Sequence, residues 1–419
     1  MSFLIIAVFL ATAVAAVPIA HGLLMAALAA AASSSRIPLD ILVQTMVQQV
    51  QSFPLIAIPF FMLTGSLMMG GKLGEALIGV LTRLIGRFHG GPAQVGVLSS
   101  TIFGGVSGSA VADASAIGSL MVPWHKRLGY PPAFSAATLA AAATIDILIP
   151  PSIPMILFAL TANASIAALF VAGVLPGLLM CAGFMGACWW VGKRRNFPRD
   201  TQPLDRKAFM SQLAYASPAL LLPVLIIVFL RFGVATPTEV AVLSTLYAGL
   251  VSAFIYKDLG LQRLHQAVMS AGLSTGVVIL VIMSSAAIGW LLTFDQMPNG
   301  IVQWAKANIS QGWLVIALMN GLMLVCGMFI DLPAAVLLLT PVFVPLATSI
   351  GMDPIQLGIM MTVNLAIGLY TPPVGTTLFI TSAIANVKVG ETVRELGPFY
   401  LVAFGVLLLV SYVPAVILR

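Results

Sequence analysis

GGVSGSA at residues 104–110 and CGMFIDLP at 326–333 decide how this chain folds. Each puts Gly or Pro near the middle of a long apolar stretch, 92–123 and 312–345. Split there, each half has about 13 residues, or about 20 Å of helix, short of the ~30 Å hydrocarbon core. Both stretches are expected to be re-entrant helical hairpins whose tips stop near the bilayer middle.

The rest of the chain supports a membrane setting. Of 419 residues, 60% are apolar and 8% charged, whereas soluble domains devote about a quarter to charge. Further runs near the length of a spanning helix lie at 3–34, 54–70, 133–163, 165–192, 213–230, 237–256, 267–293, 355–386 and 399–418. The stretch poorest in apolar runs, 193–212, is too short to fold alone, so residues 1–419 form a single membrane domain. The run at 3–34 contains Pro18, which allows one long helix or two short ones. Its first charge is Arg36, so it lacks the basic start of a secretory signal and is expected to be retained. Cys181, Cys188 and Cys326 all sit in apolar runs without metal-ligand spacing and are read as packing residues.

The net charge of +6 reports topology rather than a nucleic-acid partner. Basic residues cluster around 83–87, 125–127, 193–207, 257–263 and 388–394, which places those segments in the cytoplasm. Hairpin one then opens to the cytoplasm and hairpin two, five crossings later, to the outside. An arm precedes each hairpin, at 71–90 and 296–311. In the first, Leu73, Leu77, Val80, Leu84 and Phe88 recur at helical spacing, so it is expected to lie along the membrane surface. Ile301, Trp304 and Ala305 form a weaker counterpart.

The two hairpins belong to a repeat. At an offset of 222, Gly105 matches Gly327, Pro123 matches Pro345, Gly129 matches Gly351, Pro132 matches Pro354, and Pro150-Pro151 matches Pro372-Pro373. Each unit is a hairpin followed by a span broken at Pro-Pro, at 92–163 and 312–386. The odd number of crossings between them makes the repeats inverted, an architecture of secondary transporters. These parts are expected to form the moving unit, with the remaining spans and arms as scaffold.

Unwound backbone at membrane depth is tolerated where it lines a cavity or holds an ion. In repeat one the candidate oxygens come from Ser107, Ser109, Asp146, Ile149 and Pro151. A shift of 222 gives Phe329, Asp331, Gly368, Thr371 and Pro373 in repeat two. Two Na⁺ sites built mostly from carbonyls are the leading expectation, with Na⁺ as coupling ion and no other cofactor. Half-helices starting there would turn positive ends toward an anionic substrate, with contacts at Ser107, Gly108, Ser109, Ser152 and Thr376. Three carboxylates lie at membrane depth, where such groups are costly and usually functional: Asp113, Asp146 and Asp331. Asp113 is read as bracing the second hairpin helix, and Asp331 as the cation-side carboxylate of the second site. No Arg or Lys is expected inside the core, so a bidentate carboxylate clamp is missing.

GGVSGSAVADASAIGSLMVP at 104–123, TIDILIPPSIPM at 144–155, GVLPGLL at 173–179, GVATPTEVAV at 233–242 and IGLYTPPVGT at 367–376 resemble the large membrane subunit, DctM type, of tripartite ATP-independent periplasmic (TRAP) transporters. The likeness runs in order over essentially the whole chain. It implies an all-α polytopic protein of the bacterial inner membrane, not an enzyme, that imports organic acids with Na⁺ by an elevator movement. It also implies two partners, a separate small four-helix membrane subunit (DctQ type) and a soluble periplasmic substrate-binding protein (DctP type). The family's cation positions fall on Ser107, Ser109, Asp146, Ile149 and Pro151, and on Asp331, Gly368, Thr371 and Pro373. At 146 the family pattern carries a small residue such as glycine, so Asp146 leaves Na⁺ stoichiometry and proton coupling open. The alternatives are a proton-coupled organic-anion transporter and a passive channel. A serine protease is disfavoured because His125, the histidine that follows Ser107, sits beside Lys126 and Arg127 at the cytoplasmic edge.

Overall fold

The computed structural model describes residues 1–15, 17–33, 37–69, 72–199 and 206–417. Arg36 lies outside them, as do the side chains of Leu73, Glu75 and Arg206. The described residues form helices and no strands. The first half of the chain contains α1 (Ser2–Val14), α2 (Ile19–Ala32), α3 (Leu39–Val50), α4 (Ala57–Met69) and α5 (Lys72–Ile85). It continues with α6 (Gly91–Ser107), α7 (Ala110–Arg127), α8 (Pro132–Ala142), α9 (Ile153–Ala162) and α10 (Ile166–Arg194). The second half contains α11 (Arg206–Arg231), α12 (Pro237–Leu250), α13 (Leu261–Phe294), α14 (Met297–Asn308) and α15 (Gly312–Phe329). It ends with α16 (Leu332–Ser349), α17 (Pro354–Gly368), α18 (Thr376–Ala385), α19 (Val389–Glu395) and α20 (Gly397–Tyr412).

The offset of 222 extends well beyond the matched prolines. Shifted by it, α7 falls on α16 end for end, and α8 begins where α17 does. Gly129 and Gly351 both take positive φ, +82° and +76°, in the turn before the broken span. Pro150-Pro151 and Pro372-Pro373 are both cis. The repeats differ in their kinks. α3 and the helix after it are bent by 59°, whereas the matching α13 runs unbroken for 34 residues. Conversely, α10 is one helix of 29 residues, while its counterpart is bent by 59° between α19 and α20. Pro54 and Pro398 stand at these bends and cannot donate the backbone bond that would continue a helix.

One expectation is corrected. The hairpin helices have 17, 18, 18 and 18 residues, about 27 Å each, because the first helix of each hairpin continues into the break, to Ser107 and Phe329, and the second runs four residues past the apolar stretch, to Arg127 and Ser349. The inversion of the repeats is unaffected, since a hairpin returns the chain to the side it left. Leu77, Val80, Leu81 and Ile85 of α5 are buried, while Leu84 and, just past the helix, Phe88 are 43% and 52% exposed.

The run at 3–34 resolves into α1 and α2, packed on one another. The Ser2 N–H and hydroxyl donate to Asp295, at 2.8 and 2.5 Å. Asp295 follows α13 at the end opposite Lys257 and Arg263, which puts the start of α1 on the face away from the basic loops. At the basic face, Lys193 and Arg194 lie over Trp189 and Trp190, an interfacial pairing at the end of α10. The two repeats interlock at the centre: α18 packs on α7 and α8, and α9 packs on α16. The most enclosed elements are α8, whose small residues from Ser135 to Ala142 are all buried, and α17, buried throughout from Gln356 to Gly368.

Candidate functional site

In repeat one the hairpin tip is pressed against the broken span. Gly108 turns the chain at φ +63°, and a Cβ there would stand 2.6 Å from the Pro151 carbonyl oxygen, so both conformation and space demand glycine. Ser109 is extended and caps α7 by accepting from the Ala112 N–H at 3.5 Å. One turn earlier, a Cβ on Gly104 would lie 2.5 Å from Asp146 Cα. After α8 and a short 3₁₀ turn, residues 146–152 leave the helix, and Ser152 restarts it by capping α9. The Ser152 hydroxyl donates to the Ile147 carbonyl at 2.6 Å and accepts from the Met155 N–H.

Asp146 is fully buried in this junction, where its Oδ1 accepts from the Gly108 N–H at 3.1 Å. The Ser107 hydroxyl and Ser109 N–H face the same carboxylate. Ile149 packs on Gly105 and Gly177. The structure thus gathers Ser107, Gly108, Ser109, Asp146 and Pro151 at one junction, with Ile149 beside it. A second carboxylate, Asp113, is also fully buried near Asp146, with the Ser100 hydroxyl facing it.

Repeat two makes the same junction more openly. Gly327 and Gly368 approach so closely that a Cβ on Gly368 would be 2.4 Å from the Gly327 carbonyl group. The Val374 N–H donates to the Met328 carbonyl at 3.3 Å, and the Thr371 hydroxyl donates to the Ile367 carbonyl at 2.6 Å. Asp331 precedes α16 but makes no side-chain cap, and Gly375 before α18 makes none either. Phe329 is 56% exposed and Pro373 is exposed. Above the break, Tyr370 stacks on Tyr400, whose hydroxyl donates to the Tyr370 carbonyl at 2.9 Å.

Two adjoining cavities connect these junctions. The first, about 290 Å³, lies between α4, α13 and the first tip, with Ser107, Ser109, Ser270, Ser274 and Arg263 on its walls. The second, about 270 Å³, lies between the two tips and is lined by Gly108, Ile147, Ile153, Ser274, Asp331 and Leu369. Met62, Ser109 and Ser274 border both. Together they form a cleft with small polar groups toward α13 and apolar walls between the tips.

Of the residues expected to touch substrate, Ser107, Gly108 and Ser109 line this cleft, whereas Ser152 is enclosed as a helix cap and Thr376 lies outside both cavities. His125 is buried at the far end of α7, about 24 Å of helix from the tip, and its Nε2–H donates to the Pro92 carbonyl at 2.9 Å. In the sequence Arg263 reads only as a topological marker, yet it stands in the wall of the first cavity. The signal that could have found it is its position one helical face from Gln266, Ser270 and Ser274, in a span otherwise apolar. A buried amide pair was also missed. Asn364 donates to Asn320 Oδ1 at 2.8 Å, and Asn320 donates to Ser411 Oγ at 2.9 Å, tying α15, α17 and α20.

Comparisons with known proteins bear on the family and the fold. Residues 3–416 match the family described as "Tripartite ATP-independent periplasmic transporter, DctM component". An uncharacterised protein, y4mL of Sinorhizobium fredii, is 53% identical over 418 residues, covering 100% of each chain. The 2,3-diketo-L-gulonate TRAP transporter large permease protein YiaN of Escherichia coli is 36% identical, with 96% of this chain and 94% of that one covered. Among solved structures, the YdaH transporter of Alcanivorax borkumensis superposes with a TM-score of 0.63 at 16% identity, over 89% of this chain and 88% of that one, a likeness of fold. The chain therefore belongs to the DctM family of TRAP transporters, as a multi-pass transporter permease of the inner membrane and not an enzyme.

Proposed function

We propose that this chain is the large subunit of a Na⁺-coupled importer of an organic acid. A separate small four-helix membrane subunit of the DctQ type and a soluble periplasmic binding protein of the DctP type would complete it. The observation that carries the reading is the cleft, because it touches both hairpin tips on one side and α13 on the other. Family membership supports it, as does the name of the Escherichia coli relative, which specifies a sugar acid.

In this reading Na⁺ is cargo. Ser107, Ser109, Asp146, Ile149 and Pro151 would hold one ion, and Phe329, Asp331, Gly368, Thr371 and Pro373 a second. The chemistry of the donors fits a hard monovalent cation: carbonyl and hydroxyl oxygens with one carboxylate per site. Asp146 Oδ2 is buried without a hydrogen-bond partner, as such a ligand would be before an ion arrives. The segments 92–163 and 312–386 would move as a body against the scaffold, carrying substrate between the two faces.

The test is uptake into proteoliposomes containing this chain with both partners and its cognate acid. An imposed Na⁺ gradient is expected to drive accumulation, and Asp331→Ala to cut the initial rate on the order of 100-fold, as loss of a charged ion ligand costs about 3 kcal/mol. Accumulation driven by a pH gradient and indifferent to Na⁺ would establish proton coupling instead. Equilibration without accumulation under either gradient would establish a channel.

A further inference from the structure

Among the residues lining the two cavities, Arg263 is the one basic side chain and Asp331 the one acidic. The cleft therefore carries a carboxylate at the second hairpin tip and, at the end nearest the loop 256–260, a guanidinium that is ion-paired with Asp258 behind it. Arg263 is held in place from two sides. Its guanidinium pairs with Asp258 and donates to the Asp258 carbonyl at 3.2 Å, and Nη2 donates to the Leu67 carbonyl at 2.6 Å. This fixes the group between the end of α4 and the start of α13. It also leaves Nε without a hydrogen-bond partner. From Arg263 a polar track, Gln266, Ser270 and Ser274, climbs α13 at successive turns to the point where both cavities meet.

A structural bracket explains the Asp258 and Leu67 contacts, but it does not call for the polar track or for the cavity between Arg263 and the Ser107–Ser109 tip. We propose that the Arg263 end of the cleft is an anion-binding subsite, which receives the carboxylate of the transported acid as it leaves the hairpin tip toward the cytoplasm. This rests on the organic-acid reading above. With Nη1 committed to Asp258 and one Nη2 hydrogen to the Leu67 carbonyl, the guanidinium would meet a carboxylate through its remaining Nη2–H, a charge-assisted bond. The serine hydroxyls can pass polar groups of the substrate along α13 by exchanging single hydrogen bonds.

The test uses the full-length chain in inside-out membrane vesicles. Cys181, Cys188 and Cys326 are replaced by alanine, and Ser270→Cys is introduced into the first cavity. Two thiol reagents serve as probes, anionic 2-sulfonatoethyl methanethiosulfonate and cationic 2-(trimethylammonium)ethyl methanethiosulfonate. Relative to their rates on free 2-mercaptoethanol, the anionic reagent is expected to react about three- to tenfold faster than the cationic one. Arg263→Gln should erase this preference, Arg263→Lys should keep it, and Asp258→Asn should raise it. A preference near one with Arg263 intact would overturn the proposal, whether or not the Arg263→Gln chain folds. A preference that survives Arg263→Gln would overturn it as well. The outcomes separate from those of the uptake assay. Failure of gradient-driven uptake with the labelling preference intact would remove the coupling reading alone, and the reverse result would remove only the subsite.

Discussion

The two halves of this chain fold to one backbone plan and finish it with different side chains. In repeat one the junction is sealed: Asp113, Asp146 and Ser152 are fully buried, and serine side chains cap both half-helices. In repeat two, 222 residues on, Ala335 and Gly368 stand in place of the two carboxylates, neither half-helix has a side-chain cap, and Pro373 of the Pro-Pro turn is exposed. What survives in both is the close approach of a hairpin glycine to the broken span, Gly104 on Asp146 and Gly327 on Gly368. The comparison teaches that the junction depends on backbone against backbone, while the side chains adjust charge and exposure.

The strongest way to break that view is to fill the glycine contact. Gly368→Ala would put a Cβ within 2.4 Å of the Gly327 backbone, where no side chain can yield. Overpacking of this kind costs about 1–3 kcal/mol, and the displaced junction is expected to lower uptake by about 100-fold. Gly390→Ala, with nothing within 4 Å of the new methyl, is the control and should leave uptake unchanged. Equal rates in the two variants would refute the dependence on backbone contact.

Next in size, Asp146→Gly gives repeat one the residue that repeat two uses at the matching place. If carbonyls form most of the ion site, Na⁺-driven uptake should persist, with its half-saturating Na⁺ concentration raised roughly tenfold. That figure corresponds to losing one charge-assisted contact, about 1.5 kcal/mol. An unchanged Na⁺ dependence would show that the Asp146 carboxylate faces no ion.

Much of this plan is legible in the amino-acid sequence. Gly and Pro are the residues whose backbone consequences do not depend on neighbours, so their recurrence at 222 locates both breaks and both turns. Helix ends are less legible: the hairpin arms reach about 18 residues because polar and glycine positions can continue a helix once tertiary packing covers them. Arg263 is hard to place for a related reason. A basic residue at a span's end looks the same whether it meets lipid headgroups or folds back to the end of α4, and only the contact with the Leu67 carbonyl separates the two. Burial is not legible either, since Asp146 and Asp331 occupy similar sequence surroundings but only Asp146 is fully enclosed.

Smaller effects should follow the same divide. Ser152→Ala removes a cap that repeat one has and repeat two lacks, which costs about 1 kcal/mol. It is expected to lower the melting temperature by roughly 1 °C, whereas Val374→Ala at the matching place, already 44% exposed, should leave it unchanged. A thermal scan of both variants in detergent decides between them, and equal shifts would mean that the cap adds nothing to the seal.

The smallest expected effect concerns the tie between the halves themselves. Ser2 of repeat one donates twice to Asp295 at the end of α13, and these bonds, with the nearby N-terminal amine, hold the Asp295 carboxyl below its ordinary pKa. A carboxyl whose folded value is depressed stabilises the fold above its unfolded value of about 3.9, and that contribution fades as pH falls through the lower folded value. Asp295→Asn should therefore lower the melting temperature by less than about 1 °C at neutral pH, as befits a solvent-screened pair. The gap to the unmodified chain should close as pH falls through that lower folded value. Were the gap instead to widen in acid, the carboxylate would not be what holds α1 to α13, and the packing of α2 along α13 would have to do so alone.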